Sequence, residues 1–142
     1  MAAVPIKSVE LAILIKEIQI DVIKVELWIK DISATRALPG LDDGLSEAAL
    51  YADKFHEDVA KAREMALSMG LNNLVEVLDQ TEAVFASFYQ VGKRMAETYV
   101  AKGPGAGNKV MFEFDNVAVA MGEHIDYLMS EGATAIGVSL KS

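Results

Sequence analysis

Cysteine is absent from the 142 residues. That excludes disulfides, thiolate nucleophiles, iron–sulfur clusters and covalently attached haem. Proline is scarce. Pro5, Pro39 and Pro104 are the only three, so long stretches lack the strongest helix breaker. No apolar run reaches the roughly 18 residues that a membrane-spanning helix needs. The most apolar stretch, 11–32, is punctuated by Lys16, Glu17, Asp21, Lys24, Glu26, Lys30 and Asp31, the mark of an amphipathic helix. The N-terminus lacks the basic start, apolar block and cleavage site of a signal peptide. Basic residues are outnumbered 13 to 21, for a net charge of -8. Nucleic acid is thereby disfavoured, since phosphate binding relies on clustered Lys and Arg. A cation, or a small ligand held by a few local basic groups, remains compatible.

What is present is periodicity. Hydrophobic residues make up 52% of the chain, enough for one continuous core in one domain. In the first segment Leu11, Ile15, Ile18, Val22, Val25, Ile29 and Ile32 recur at alternating spacings of 4 and 3. That is the a/d seam of a bundle helix. Ile13, Ile20 and Leu27 are expected to widen its apolar face. The pattern returns in Ala52, Phe55, Val59, Ala62, Ala66 and Met69. It returns again from Leu71 through Leu74, Leu78, Thr81, Phe85, Phe88, Gly92 and Met95 to Tyr99, and in Met111, Phe114, Ala118, Met121, Ile125 and Leu128.

Four helices are predicted, at roughly 6–36, 45–69, 72–102 and 108–135. The segment Leu38-Pro39-Gly40-Leu41-Asp42-Asp43-Gly44 ends the first and offers caps for the second. Gly70 suits the left-handed position after the second, and Asn73 with Glu76 resembles a capping box. Residues 103–107 read as a Gly-rich turn, with Asn108 capping the last helix. The tail from Gly132 reads as a fraying helix end or the approach to a membrane segment. Short connections force antiparallel neighbours, so the expected fold is an all-α, up-down-up-down four-helix bundle. It forms a rod of about 45 Å. Both termini and the Gly70 turn share the near end, and the 37–44 and 103–107 loops share the far end.

Counting layers back from the far loops brings several chemistry-bearing residues to one third of the rod. The first helix supplies Trp28, Asp31, Thr35 and Arg36. The third supplies Arg94, Met95 and Tyr99, and the fourth Asn108, Met111, Phe112 and Phe114. Apolar walls with a few polar groups are the mix of a small-ligand site. The same aromatics and Met also suit plain core. Arg36 could grip a carboxylate, pair with Asp42 or Asp43, or cap the carbonyls of its own helix. Arg94 could pair with Asp31 or Glu97.

His56 and His124 are the only histidines. A ferritin-like di-metal site needs Glu-x-x-His on two helices, and this sequence has none. Layer counting also separates the two His by about five residues of rise, roughly 7 Å. A haem held by His and Met, or a metal ion on His56 or His124, is the alternative reading. No serine stands beside either His with a third orienting group, so no catalytic constellation is evident and an enzyme is not expected. The 103–107 stretch lacks the Gly-Lys-Ser/Thr ending of a phosphate loop and follows a helix, not a strand.

Three stretches carry a resemblance. They are Asp21-Val-Ile-Lys-Val-Glu-Leu-Trp-Ile-Lys-Asp-Ile-Ser-Ala-Thr-Arg36, then Leu41-Asp-Asp-Gly-Leu-Ser-Glu-Ala48, then Gly92-Lys-Arg-Met-Ala-Glu-Thr-Tyr-Val through Gly107-Asn-Lys-Val-Met-Phe-Glu-Phe-Asp115. Together they resemble the extracytoplasmic sensor domain of bacterial methyl-accepting chemotaxis proteins. The resemblance implies a periplasmic four-helix sensor flanked by two membrane helices in a longer inner-membrane receptor. It further implies a homodimer that binds a small-molecule chemoeffector toward the membrane-distal end and signals by a small displacement of the last helix. Trp28, Asp31, Thr35, Arg36, Arg94, Tyr99, Asn108 and Phe112 are then the expected ligand-binding residues. Trp28, Tyr99 and Phe112 would form walls, Arg36 or Arg94 would take an anion, and Asp31 an amine or cation. The sequence departs from the group at Glu26 and Leu27, where Gln-like residues are expected, and at His56, where a long polar residue is expected.

Overall fold

The computed structural model describes residues 6–36 and 44–137. It consists of four helices, α1 (Ile6–Thr35), α2 (Gly44–Ser68), α3 (Asn72–Lys102) and α4 (Pro104–Ile136). All seven seam residues of α1 are buried, and so are Phe55 and Val59 of α2, Leu78, Phe85 and Phe88 of α3, and Phe114, Met121 and Leu128 of α4. The alternating 4 and 3 spacing keeps one stripe of each helix turned inward, and four such stripes close one core.

Cross-helix pairs fix the register. Lys54 meets Glu17 and Asp21, Phe55 stacks on Phe85, and Tyr99 bonds Asn108, so each pair of consecutive helices is antiparallel. Gly92 lies against Ile29, while Arg36 reaches Tyr99, so α1 and α3 run parallel across the diagonal. That diagonal is short, whereas α2 and α4 do not approach each other. Ile6 and Ile136 therefore share the near end with the Gly70 turn, and Gly103 marks the far end.

Small residues set the spacing. Ala48, Ala52, Ala62 and Ala66 make up half of the buried face of α2, and a Cβ on Gly44 would come within 2.9 Å of the Trp28 carbonyl oxygen. With little side chain between them, α1 and α2 pack closely.

The turns differ from expectation in part. Gly70 adopts φ +73 as its type allows, and the Leu71 N–H closes back on the Ala66 carbonyl. The Asn73 capping box does not form. Leu71 is the residue before α3, and no side chain caps that helix. The 103–107 turn is Gly103 alone, at φ +80, and α4 begins at Pro104 instead of at residue 108. Proline fits the first helical position because its missing N–H would have no partner there. Asn108 thus lies inside the helix and caps nothing. The tail expected to fray from Gly132 stays helical to Ile136, with Gly132 and Ile136 buried, and Gly137 ends it in the left-handed conformation. The proposed caps Asp42 and Asp43, their pairing with Arg36, and the end of the tail lie outside the described residues.

Ile13, Ile20 and Leu27 do not widen the core face. They are 56%, 44% and 55% exposed. Each stands two residues after a seam residue, and two residues are about 200° around a helix. With Ile6, Val9 and Ile23 they form a second stripe on the opposite side of α1, spaced by 3 and 4, with Lys16 and Lys30 completing the period.

Candidate functional site

At the far end a cleft of about 320 Å³ opens between α1, α3 and α4. Met95, Met111, Phe114 and the Tyr99 ring make its apolar walls, and Ser33 and Ala34 line it from α1. Lys30 and Asp115 place opposite charges on it. Lys30 is paired with Glu26 at 2.7 Å on the surface. An exposed pair of this kind is worth well under about 1 kcal/mol, so the ammonium is free to turn to another anion. The Ser33 hydroxyl donates to the Ile29 carbonyl at 2.8 Å, so its proton is committed and its oxygen is left as an acceptor.

Tyr99 is held at three points. Its hydroxyl donates to Asn108 Oδ1 at 2.5 Å. Its carbonyl accepts from the Gly103 N–H at 3.0 Å and from Arg36 Nε at 2.9 Å. Burial, and then the negative charge of Asp115, push the phenol above its usual range, so it stays a donor. Beneath the ring lies Gly107, where a Cβ would run into the aromatic carbons. A glycine inside a helix is therefore required here by close packing.

Of the expected ligand-binding residues, Tyr99 alone lines this cleft. Arg36 turns its guanidinium over Gly103 and serves the end of α3. Arg94 pairs with Glu113 across the surface of α3 and α4, not with Asp31 or Glu97. Trp28 is half-buried against the core next to Gly44. Asp31 is exposed, Thr35 is half-buried, and Asn108 is the acceptor for Tyr99. Phe112 is 76% exposed, because it lies two residues before the buried Phe114 and so on the opposite side of α4. Met95, Met111 and Phe114, placed at this height by layer counting, do form the walls.

The histidines are occupied elsewhere. His56 Nδ1 lies 2.8 Å from Glu82 Oε2 on the surface. Thr81 donates its hydroxyl proton to the Val77 carbonyl at 2.7 Å, so His124 Nε2, 2.9 Å from Thr81 Oγ1, carries the proton and donates. This contact explains a threonine at a fully buried seam position. Among the described residues neither His belongs to a set of three metal-ligating side chains.

One such set does exist, and sequence reasoning missed it. Glu17, Asp21 and Asp58 place carboxylate oxygens within 4.8 Å of one another between α1 and α2. Lys54 Nζ sits among them, at 2.9 Å from Glu17, 3.3 Å from Asp21 and 3.2 Å from Asp58. Asp21 is fully buried, and its Oδ2 has no hydrogen-bond partner. Burial first, and then the neighbouring Asp58, push its carboxyl up to about 7, against the opposing pull of Lys54. Lys54 is raised in turn, chiefly by its bond to Glu17. The available signal was the pairing of Glu17/Asp21 and Lys54/Asp58, each four residues apart, on helices already known to be antiparallel.

Comparison of the chain with family models, with characterised proteins and with solved structures finds no match.

Proposed function

We propose that this bundle is the sensor module of a bacterial transmembrane chemoreceptor of the methyl-accepting type. It acts without catalysis, on the periplasmic side of the inner membrane, and binds a small-molecule chemoeffector in the far-end cleft. The observation that carries this reading is the cleft itself. It is apolar-walled, carries one basic and one acidic side chain, and is shared by α1, α3 and α4. A molecule that spans α1 and α4 favours whichever arrangement of the two helices it fits better, and shifts the equilibrium by that difference in affinity. α4 runs from the cleft to the near end, so a displacement at its start is carried the length of the rod.

The second stripe of α1 supports the homodimer. Ile6, Val9, Ile13, Ile20, Ile23 and Leu27 follow heptad spacing on an exposed face, and the partner that matches such a seam most simply is the same helix of a second copy. The flanking membrane helices expected from the resemblance would join the bundle at its near end. None of the described helices is itself long and apolar enough to cross a membrane.

The test is a thermal-shift screen of the purified protein against amino acids, organic acids and purines, alongside Ala34→Phe. Ala34 is an exposed residue that lines the cleft, so a phenyl ring there fills the cleft without entering the core. A ligand that binds only the folded state raises the melting temperature by mass action. The expected result is one chemical class that stabilises the wild type and not Ala34→Phe. Equal stabilisation of both proteins would place the ligand elsewhere.

A further inference from the structure

Halfway along the rod, remote from the cleft, Lys54 donates one hydrogen bond each to Glu17, Asp21 and Asp58. An ammonium has three protons, so this geometry uses all of them. It brings one positive charge to three carboxylates. It also leaves Asp21 Oδ2 buried with no partner, the only side-chain polar atom so placed among the described residues. A carboxylate oxygen in that position forfeits its hydration and gains nothing in return.

We propose that Glu17, Asp21 and Asp58 form a binding site for a hard divalent cation of calcium or manganese size, in which Lys54 holds the cation's place and is displaced when the ion enters. Three features of the geometry support it. The donors are all carboxylate oxygens, the ligand type that selects such ions over zinc or copper. Their mutual distances, within 4.8 Å, suit a single ion, because donors at about 2.4 Å from a centre lie at most about 4.8 Å apart. A cation that takes Asp21 through both oxygens also supplies the partner that Oδ2 lacks, a mode common for calcium.

Exchange is feasible on both sides of the site. The Lys54 side chain is 44% exposed and hangs on a flexible stem, so it can swing into water. Glu17 is 41% exposed, so the ion has a route in and room for bound waters. Asp21 provides the fixed, buried wall. The site joins α1 to α2 and involves neither the cleft nor α4, so it stands whether or not the sensor reading holds.

The experiment is calorimetric titration of the metal-free protein with calcium chloride and with manganese chloride at mildly alkaline pH, repeated on Asp21→Asn, Glu17→Gln and Lys54→Met. The wild type is expected to bind one ion with a Kd of about 0.1–1 mM, the range of extracellular calcium modules. Lys54→Met removes the competing ammonium and should bind at least about tenfold tighter. Asp21→Asn should lose binding, and Glu17→Gln, altered only at the half-exposed rim, should weaken it while leaving the circular dichroism unchanged. Absence of saturable binding by the wild type would overturn the proposal, even if Lys54→Met bound, because Lys54 would then be a permanent occupant. Wild-type affinity in Asp21→Asn would overturn it equally, as binding to scattered surface carboxylates.

Discussion

Replacing Asp21 by Asn should change how stability depends on pH, with a sign set by burial. The carboxyl is held near 7 in the folded protein, against 3.8 as its ordinary value. Between those values the folded state keeps a proton that the unfolded chain releases. Stability from this site is therefore fully present below about pH 4 and is lost as pH rises through about 7. One pKa unit is worth about 1.4 kcal/mol, so the shift sets a ceiling of about 4 kcal/mol. Because Lys54 opposes the shift, an effect of about 2–4 kcal/mol is expected. Asparagine keeps the shape, carries no charge and has no such dependence. Urea unfolding of both proteins in chelator, from about pH 4.5 to about pH 8.5, isolates the site, since other carboxylates cancel in the difference. The wild type should lose stability relative to Asp21→Asn as pH rises, and the variant should be the more stable protein at the alkaline end. A flat difference would refute the buried-carboxyl account. A difference that rises with pH would mean that Lys54 governs Asp21 and holds it ionised.

Three further substitutions probe the packing. Gly107→Ala places a Cβ against the Tyr99 ring and should cost about 1–3 kcal/mol, whereas Gly105→Ala meets nothing within 4 Å and should stabilise α4 by roughly 0.5–1 kcal/mol; thermal unfolding of the pair checks both signs. Arg36→Ala removes the bond to the Tyr99 carbonyl and should cost about 0.5–1.5 kcal/mol while leaving any ligand found in the screen bound, measured by denaturation and by calorimetry. Ile20→Lys, in the exposed stripe of α1, should weaken self-association in sedimentation equilibrium without loss of helicity, and an unchanged dimer would put the interface on another face.

The core was legible in the sequence because a heptad seam reports directly which residues face inward. Every seam residue of α1 and nearly all of those in α3 are buried. Layer counting was informative about height and silent about azimuth. It placed Met95, Met111, Phe114 and Tyr99 together, and they do line one cleft. It also placed Phe112 and Asp31 at that height, although they point outward. The same distinction governs Ile13, Ile20 and Leu27, whose offset of two residues from the seam carries them to the far side of α1. Local composition misled at residues 103–107. Three glycines suggested a loop, yet Gly105 and Gly107 are helical, because Pro104 starts the helix and the Tyr99 ring needs the space above Gly107. The roles of Arg36 and Arg94 were not legible. Each depends on which carbonyl or carboxylate stands within reach once the helices are in register. The Asp21 cluster required combining that register with burial, neither of which a single helix displays.

The most direct test of the cleft is methyl NMR on methionine-labelled protein, titrated with whichever compound class stabilises it. Met95 and Met111 line the cleft, while Met65 and Met129 lie in the half of the rod toward the Gly70 turn. Binding as proposed shifts the Met95 and Met111 methyl signals most and in a saturable way, moves Met129 less as α4 is displaced, and leaves Met65 on α2 in place. Saturable shifts confined to Met65 and Met129, or none at Met95 and Met111, would contradict a ligand site at the far end of this bundle.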